Sequence, residues 1–227
     1  AKTTVAAGIA LYIMVGDALY PPFKPELATF EMQPEIDIVA VDRFQGRKAR
    51  ADIADMATTS PAISKRLDVK RSYIRHKKRG GEVVVFSKDT SNKDGGRPSL
   101  IICEEWHAHS ERTIHEAAVK GMGKKAQCLD LMITTAGEDA ENKPCYQDYL
   151  QYSRVLEGSI VQDDVFVMIR ETDDGDDPHD KTTWCKANAF FRFGSKYGRV
   201  LYEKVESEYR DAYLANNYAK IREWLIK

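Results

Sequence analysis

Two pairs of residues have the types and positions that phosphate chemistry requires. Lys2 and Thr3 stand before an apolar segment, residues 5–15, whose apolar positions fall on every side of a helix and therefore predict a buried one. The pair matches the end of the pattern Gly-x-x-x-x-Gly-Lys-[Ser/Thr], in which the lysine reaches phosphate oxygens and the hydroxyl binds Mg²⁺. Ala1 stands where the last glycine of that pattern belongs. On its own, a lysine near the start of a chain is weak evidence for such a site.

The second pair is Glu104 and Glu105, which directly follow the apolar run at residues 100–103. This run predicts a strand, and side chains at the carboxyl end of a strand in an open α/β sheet face the ligand crevice. One carboxylate there could hold a hydrated Mg²⁺, and the next could orient and deprotonate an attacking water. The alternative is a strand that ends in two solvated acids.

The elements that would position these pairs alternate between strand and helix, which predicts an α/β fold with a mostly parallel sheet. Several of the strands are short, continuous apolar runs, as expected when both faces of a sheet are covered. We predict strands at residues 36–41, 83–86, 100–103, 129–134 and 165–169. We predict further helices at residues 43–56, 111–120, 146–156 and from 202 to about 226.

The composition is that of an ordinary globular protein, with 227 residues, 43% hydrophobic and 30% charged. A net charge of −1 gives no global attraction to nucleic acid, so any DNA contact would need a local patch. No run approaches the roughly 18–20 apolar residues of a membrane span, and no secretory signal is recognisable. The cysteines form no CxxC pair, which favours reduced thiols and a cytoplasmic compartment. They are Cys103, Cys128, Cys145 and Cys185.

A series of short motifs follows in one order along nearly the whole chain. A proline precedes the 100–103 strand, and His107 follows the acidic pair after one residue. The segments that carry the series are residues 45–50, 94–109, 133–137, 145–158, 163–164 and 184–188. This order resembles the large terminase subunits of tailed bacteriophages. In that family the acidic pair is Asp-Glu, so Glu104 in the aspartate position is a departure.

The resemblance implies a P-loop NTPase fold of the ASCE type, with a mostly parallel sheet between two helical layers (α/β/α). It also implies an ATPase motor that drives double-stranded viral DNA into a procapsid, with ATP and Mg²⁺ as cofactors. By matching position, Lys2, Thr3 and Thr4 would contact the phosphates, and Thr3 and Glu104 would hold Mg²⁺. Glu105 would be the catalytic base, and Thr134 and Thr135 would sense the γ-phosphate. Arg97, or less readily Arg43, would be an arginine finger.

The resemblance further implies where the domain begins and ends and what it meets. Residues 1–227 would form the motor domain, with its first strand and phosphate-loop glycines before residue 1 and a nuclease domain outside these residues. The implied partners are double-stranded DNA, the portal protein, the small terminase subunit and further copies of the chain in a ring, with a monomer as the isolated form. The implied location is the cytoplasm of the infected host, transiently at the procapsid portal, with no membrane contact.

Other features leave rival interpretations open. The basic residues between positions 65 and 79 could contact DNA phosphates or form a solvated face. The acidic stretch at residues 173–180 lacks the ligand order of an EF-hand and indicates a solvated loop. Cys103, His107, His109 and His115 do not have the paired spacing of a structural zinc site. A DNA-binding module without catalysis and a metal-dependent nuclease are the alternative functions.

Overall fold

A sheet of four parallel strands, extended by an antiparallel hairpin, forms the centre of the first of two compact units. The computed structural model describes residues 2–19, 29–87, 96–137 and 141–225. The chain divides into a first unit, Ala1–Thr135 with Asn142–Cys145, and a second unit, Ala136–Glu141 with Tyr146–Lys227. Ala1 and the Asp94-Gly95 pair of the motif series lie outside the described residues.

The strands of the first unit come in the spatial order β4-β5-β6-β3-β7-β8. The strands β6, β3, β7 and β8 run parallel, whereas β4 and β5 are antiparallel. A separate antiparallel pair, β1 with β2, lies outside this sheet. The strands are β1 (Ala18–Leu19), β2 (Thr29–Phe30), β3 (Ile36–Val39), β4 (Leu67–Val69), β5 (Ile74–His76), β6 (Gly80–Phe86), β7 (Leu100–Glu104) and β8 (Leu129–Ile133).

Helices cover both faces of this sheet. They are α1 (Lys2–Val15), α2 (Arg43–Thr59), the single turn α3 (Pro61–Ser64) and α4 (Thr113–Met122). Successive strand residues point to opposite faces, so Ile36 and Ile38 pack with α1 and α2, whereas Ile101 and Cys103 pack with α4. This arrangement confirms the predicted three-layer α/β fold with a mostly parallel sheet.

The prediction that the first helix is buried on all sides is wrong. Ala6, Ala10 and Met14 are buried, but Val5 is 64% exposed and Tyr12 is 59% exposed. The reason is that α1 packs against the sheet and α2 on one side only.

The second unit is built around helices. They are α5 (Pro144–Leu156), whose first two residues belong to the first unit, α6 (Trp184–Ala187), α7 (Lys196–Leu214) and α8 (Tyr218–Leu225). The predicted single helix from residue 202 is therefore two helices. Ser195 caps the first of them, because its Oγ accepts a hydrogen bond from the Gly198 amide at 2.9 Å. Asn216, in left-handed backbone geometry with φ 46°, lies between the two.

The predicted strand at residues 165–169 is also wrong, because this segment forms no regular secondary structure. Its exposure alternates, with Phe166 85% and Met168 70% exposed. Within the described part of the second unit there is no strand with which it could form a ladder. Apolar side chains alone do not make a strand, because a strand also needs a hydrogen-bonding neighbour.

Candidate active site

The carboxyl ends of β3, β7 and β8 lie at one edge of the sheet, and the start of α1 meets them there. Val39 pairs with Cys103, and Glu104 pairs with Ile133, so the three strands end almost level. The hydroxyl of Thr3 donates a hydrogen bond to Glu104 Oε2 at 3.3 Å. The fold thus joins the two pairs singled out from the sequence, although Thr3 and Glu104 are 101 positions apart.

Glu104 lies in an environment that disfavours its negative charge. The residue is only 5% exposed, and its Oε1 is buried without a hydrogen-bond partner among the described residues. Burial raises the pKa of the Glu104 carboxyl, and the charges of Glu105 and Asp52 raise it further, whereas the Thr3 hydrogen bond and Lys2 oppose the rise. An unpaired buried carboxylate oxygen is costly. A hard cation that prefers oxygen ligands would relieve this cost, so the Thr3 and Glu104 oxygens fit Mg²⁺.

Glu105 turns the chain away from the line of β7. Its backbone is left-handed, with φ 49° and ψ 54°, a conformation uncommon for residues other than glycine. A short 3-10 turn, Trp106–Ala108, follows directly. The Glu105 side chain is 37% exposed, so two adjacent acids have different surroundings. Glu104 is buried beside a hydroxyl, whereas Glu105 can reach water. Strained backbone of this kind is concentrated at functional sites.

An open pocket of about 380 Å³ adjoins these acids. Gln45 and Lys48 line it from α2, although sequence reasoning gave neither a site role. Their place in the sequence could have indicated a site role, because α2 follows the carboxyl end of β3, and β7 ends at the same edge of the sheet. Gln45 Oε1 is buried without a hydrogen-bond partner among the described residues. The pocket is lined by Thr3, Gln45, Lys48, Ala49, Glu104, Glu105, His107 and Ala108.

Two local features hold α2 in this position. Asp42 caps the helix, because its Oδ1 accepts hydrogen bonds from the amides of Phe44 at 2.7 Å and Gln45 at 2.9 Å. Gly46 lies against β6 so closely that a Cβ atom at this position would be 2.3 Å from Val85 Cγ1. The absence of a side chain at Gly46 therefore allows α2 to pack on the sheet and direct its first turns to the pocket.

Thr134 and Thr135, at the end of β8, lie beside His107. The Thr134 hydroxyl accepts a hydrogen bond from the His107 backbone amide at 2.9 Å and donates one to the Thr135 carbonyl at 2.8 Å. His107 Nδ1 is 3.3 Å from Glu105 Oε2. The predicted sensor residues are therefore joined to the acidic pair through a histidine to which the sequence alone gave no role.

Three other predicted site residues lie at the same edge of the sheet as the acidic pair but make no hydrogen bond to that pair within the described residues. Lys2 and Thr4 are exposed at the start of α1, and the charge of Lys2 lowers the pKa of both Glu104 and His107. Arg43, the first residue of α2, is exposed at the pocket's edge of the sheet.

Arg97 is exposed and lies at the opposite edge of the sheet from the acidic pair. It comes before the start of β7, and its backbone amide donates to Glu35 Oε1 at 3.1 Å. A second open hollow, of about 720 Å³, adjoins it. Arg97 therefore does not line the pocket beside Glu104 and Glu105 of its own chain.

The rival metal sites find no support within the described residues, where no group of three or more His, Cys, Asp or Glu side chains is arranged to hold a metal ion. His115 instead contacts Asp130 at 2.8 Å. In the acidic loop, Lys186 Nζ binds Asp173 at 2.6 Å and Asp176 at 2.7 Å. The loop is therefore organised around a lysine. None of the described helices is both long and apolar enough to cross a bilayer.

Comparison with known proteins relates the chain to terminase large subunits. Residues 2–154 match the family model described as terminase large subunit, ATPase domain. Protein YmfN of Escherichia coli strain K12 is 32% identical over 168 residues, which are 74% of this chain and 34% of that protein. The chain thus spans about a third of the length of this relative.

One solved structure shares the fold of this chain. The crystal structure of the HK97 bacteriophage large terminase aligns over 99% of this chain and 43% of that chain, with a TM-score of 0.72 and 18% identity. The large terminase of a thermophilic bacteriophage, solved in complex with ADP, aligns over 54% of this chain and 31% of that chain. Its TM-score of 0.39 at 14% identity is too low to establish a shared fold.

Proposed function

The chain belongs to the family of terminase large-subunit ATPase domains, and from this premise we propose that it hydrolyses ATP to drive double-stranded DNA into a viral procapsid. The observation that carries the proposal is the 3.3 Å contact between Thr3 Oγ1 and Glu104 Oε2 at a pocket that Glu105 also lines. A hydroxyl and two carboxylates at the carboxyl edge of a parallel sheet are the groups that phosphoryl transfer to water requires.

The proposed division of labour follows from the surroundings of each side chain. Lys2 and Thr4, exposed at the start of α1, contact the phosphates, and Thr3 and Glu104 supply oxygen ligands for Mg²⁺. The bound cation neutralises charge on the phosphate oxygens. Glu105, which reaches water, accepts the proton of the water that attacks the γ-phosphorus as the bond to the β–γ bridging oxygen breaks. Thr134 and Thr135 respond to the presence of the γ-phosphate and link hydrolysis to movement.

Arg97 has a role in this proposal only if copies of the chain assemble. Because it lies at the sheet edge opposite the acidic pair, it would act on the nucleotide of a neighbouring copy in a ring. A guanidinium supplied by a neighbour stabilises the charge of the transition state. Arg43, at the pocket's own edge, is the alternative finger.

We assign both units to one motor that works on double-stranded DNA in the cytoplasm of the infected host. Its proposed partners are the portal protein and the small terminase subunit. The exposed basic residues around the β4–β5 hairpin are the proposed contact with DNA phosphates.

The proposal is tested by changing Thr3 in two ways and measuring Mg²⁺-dependent ATP hydrolysis in the full chain. Thr3→Ser keeps the hydroxyl and should retain most of the turnover. Thr3→Val has nearly the same shape without the hydroxyl, and it should weaken Mg²⁺·ATP binding and lower turnover. Thr113→Val, at an exposed position on α4, is the matched control. Equal activity of the Ser and Val variants would count against a metal site at Thr3.

A further inference from the structure

His107 lies at the centre of a small hydrogen-bond network in the first unit. Its Nδ1 is 3.0 Å from Thr134 Oγ1, 3.3 Å from Glu105 Oε2 and 3.4 Å from Thr135 Oγ1. Its backbone amide donates to Thr134 Oγ1 at 2.9 Å. The ring therefore touches both the acidic pair after β7 and the threonine pair after β8.

The number of available hydrogens determines the direction of these contacts. The Thr134 hydroxyl has one hydrogen, and it is donated to the Thr135 carbonyl at 2.8 Å. The same oxygen already accepts from the His107 amide, and its second lone pair can accept only from a donor. The Cys145 thiol is the only other donor near this oxygen within the described residues, and it is distant, at 3.9 Å. We therefore assign the ring hydrogen to Nδ1, the tautomer in which Nδ1 donates to Thr134. That hydrogen also lies within reach of Glu105 Oε2.

The surroundings of the ring favour its neutral form. Burial lowers the pKa of His107, the positive charges of Lys143 and Lys2 lower it further, and Glu105 opposes them. A neutral imidazole has a single N–H, so placing it on Nδ1 leaves Nε2 as an acceptor.

We propose that His107 is a positioning residue that holds the Glu105 carboxylate in place through Nδ1–H while Thr134 anchors the imidazole. This inference rests on the proposed role of Glu105 as the base. The inference adds that a movement of Thr134 at the end of β8 would move Glu105 as well, because the His107 side chain contacts both residues. The link between γ-phosphate sensing and water activation is then a direct chain of contacts, from Thr134 to His107 to Glu105.

The test uses two amide side chains that differ only in where their donor lies. His107→Asn places its NH₂ near the position of Nδ1, and His107→Gln places its NH₂ near the position of Nε2. In the full chain, His107→Asn should keep kcat for ATP within a few-fold of the wild type. His107→Gln and His107→Leu should lower kcat about 10- to 100-fold, because small errors in the position of a catalytic group have effects of this size. The KM for ATP should change little.

A second pair of variants tests the anchor. Thr134→Ser should behave as the wild type, whereas Thr134→Val should lower kcat as His107→Leu does. The double variant His107→Leu, Thr134→Val should be no slower than the slower single variant, since residues that act through one contact are not additive. Thermal melting of each variant shows whether a lower kcat arises from a loss of folded protein. If Thr134→Val does not fold, the three His107 variants and Thr134→Ser still test the proposal.

The outcomes separate this inference from the proposed function. If Glu105→Gln abolishes turnover while His107→Asn and His107→Gln have equal kcat, or their loss appears in KM, the positioning role is wrong and the ATPase assignment stands. If turnover does not depend on Glu105, both are wrong.

Discussion

Glu104 places one carboxylate oxygen 3.3 Å from the hydroxyl of Thr3 and buries the other without a hydrogen-bond partner among the described residues. Such an arrangement is unfavourable until a cation occupies it. In the absence of metal, the buried charge of Glu104 should therefore lower the free energy of unfolding, and this effect should depend on pH.

We expect Glu104→Gln to stabilise the metal-free protein at neutral pH. Because the pKa of Glu104 is raised in the folded state from its ordinary 4.5, its favourable contribution is complete below that ordinary value and is lost as pH rises through the folded value. The difference in unfolding free energy between the variant and the wild type should therefore grow as the pH rises from the ordinary value towards neutrality. Urea unfolding without Mg²⁺ or nucleotide measures it, with Glu116→Gln, an exposed position on α4, as the control. A difference that does not change with pH would mean that Glu104 is not strained by burial.

Gly46→Ala should destabilise the fold and distort the pocket, because the added Cβ would lie 2.3 Å from Val85 Cγ1. Overpacking of this kind typically costs about 1–3 kcal/mol. Adding Val85→Ala should recover part of that loss. Gly8→Ala in α1 is the matched control: its Cβ meets nothing within 4 Å, so it should stabilise the helix by about 0.5–1 kcal/mol. Thermal and urea unfolding measure these variants against the wild type, and a neutral Gly46→Ala would show that α2 can move away from β6.

The sequence predicted the parallel strands well and missed the β4–β5 hairpin at one side of the sheet. β3 and β7 were found because they are continuous apolar runs covered on both faces. β4 and β5 were missed because they lie within a basic segment, where Asp68 and Arg75 interrupt short apolar stretches. An edge strand needs only one apolar face, and its pairing depends on a neighbour that the local sequence does not reveal.

The site shows the same division. The positions of Thr3, Glu104 and Glu105 could be predicted because each belongs to a local motif at the end of an element, whereas their roles stay predictions. The contacts of His107 could not be predicted, because they depend on the left-handed turn at Glu105 and on the hydroxyl of Thr134. Both are products of tertiary structure. The arginine finger remains a prediction.

The basic side chains of the segment around the β4–β5 hairpin fall into three sets. Lys70 and Arg75 form ion pairs, with Asp68 at 3.7 Å and with Glu82 at 3.0 Å. Arg66, Lys77 and Arg79 donate to backbone carbonyls, including Val15, Ser64 and Glu31, and so support the fold. Three others are exposed and make no side-chain hydrogen bond or ion pair within the described residues. They are Lys65, Arg71 and Lys78.

We expect replacement of Lys65, Arg71 and Lys78 by alanine to weaken binding to double-stranded DNA and to flatten its salt dependence. Each lost phosphate contact should reduce the slope of log K against log salt by about 0.9. Alanine at the exposed Lys196, Arg199 and Lys220 removes the same amount of charge from the second unit and serves as the control. Equal slopes for the two triple variants would indicate that the hairpin does not contact phosphates.

Arg97→Ala should abolish ATP turnover only where copies of the chain assemble. Arginine fingers contribute about 10³–10⁵ in rate, so Arg97→Ala and Glu105→Gln should each be inactive under assembling conditions. A mixture of the two should regain part of the activity, because some sites then combine an intact base with an intact finger from a neighbour. Lys120→Ala, at an exposed position on α4, is the control. Normal hydrolysis by Arg97→Ala would make Arg97 structural and direct attention to Arg43.

The central claim is that Glu105 is the base of an ATP-hydrolysing site, and one substitution tests it most directly. Glu105→Gln keeps the size of the side chain but cannot accept the proton of the attacking water. We expect the variant to bind Mg²⁺·ATP as the wild type does, measured with a fluorescent ATP analogue. Glu111→Gln changes an exposed acid just before α4 in the same way and should behave as the wild type. In a single-turnover assay, hydrolysis by Glu105→Gln should be slower by about 10²–10⁴, the usual contribution of a positioned base. Unchanged hydrolysis in Glu105→Gln would contradict the account.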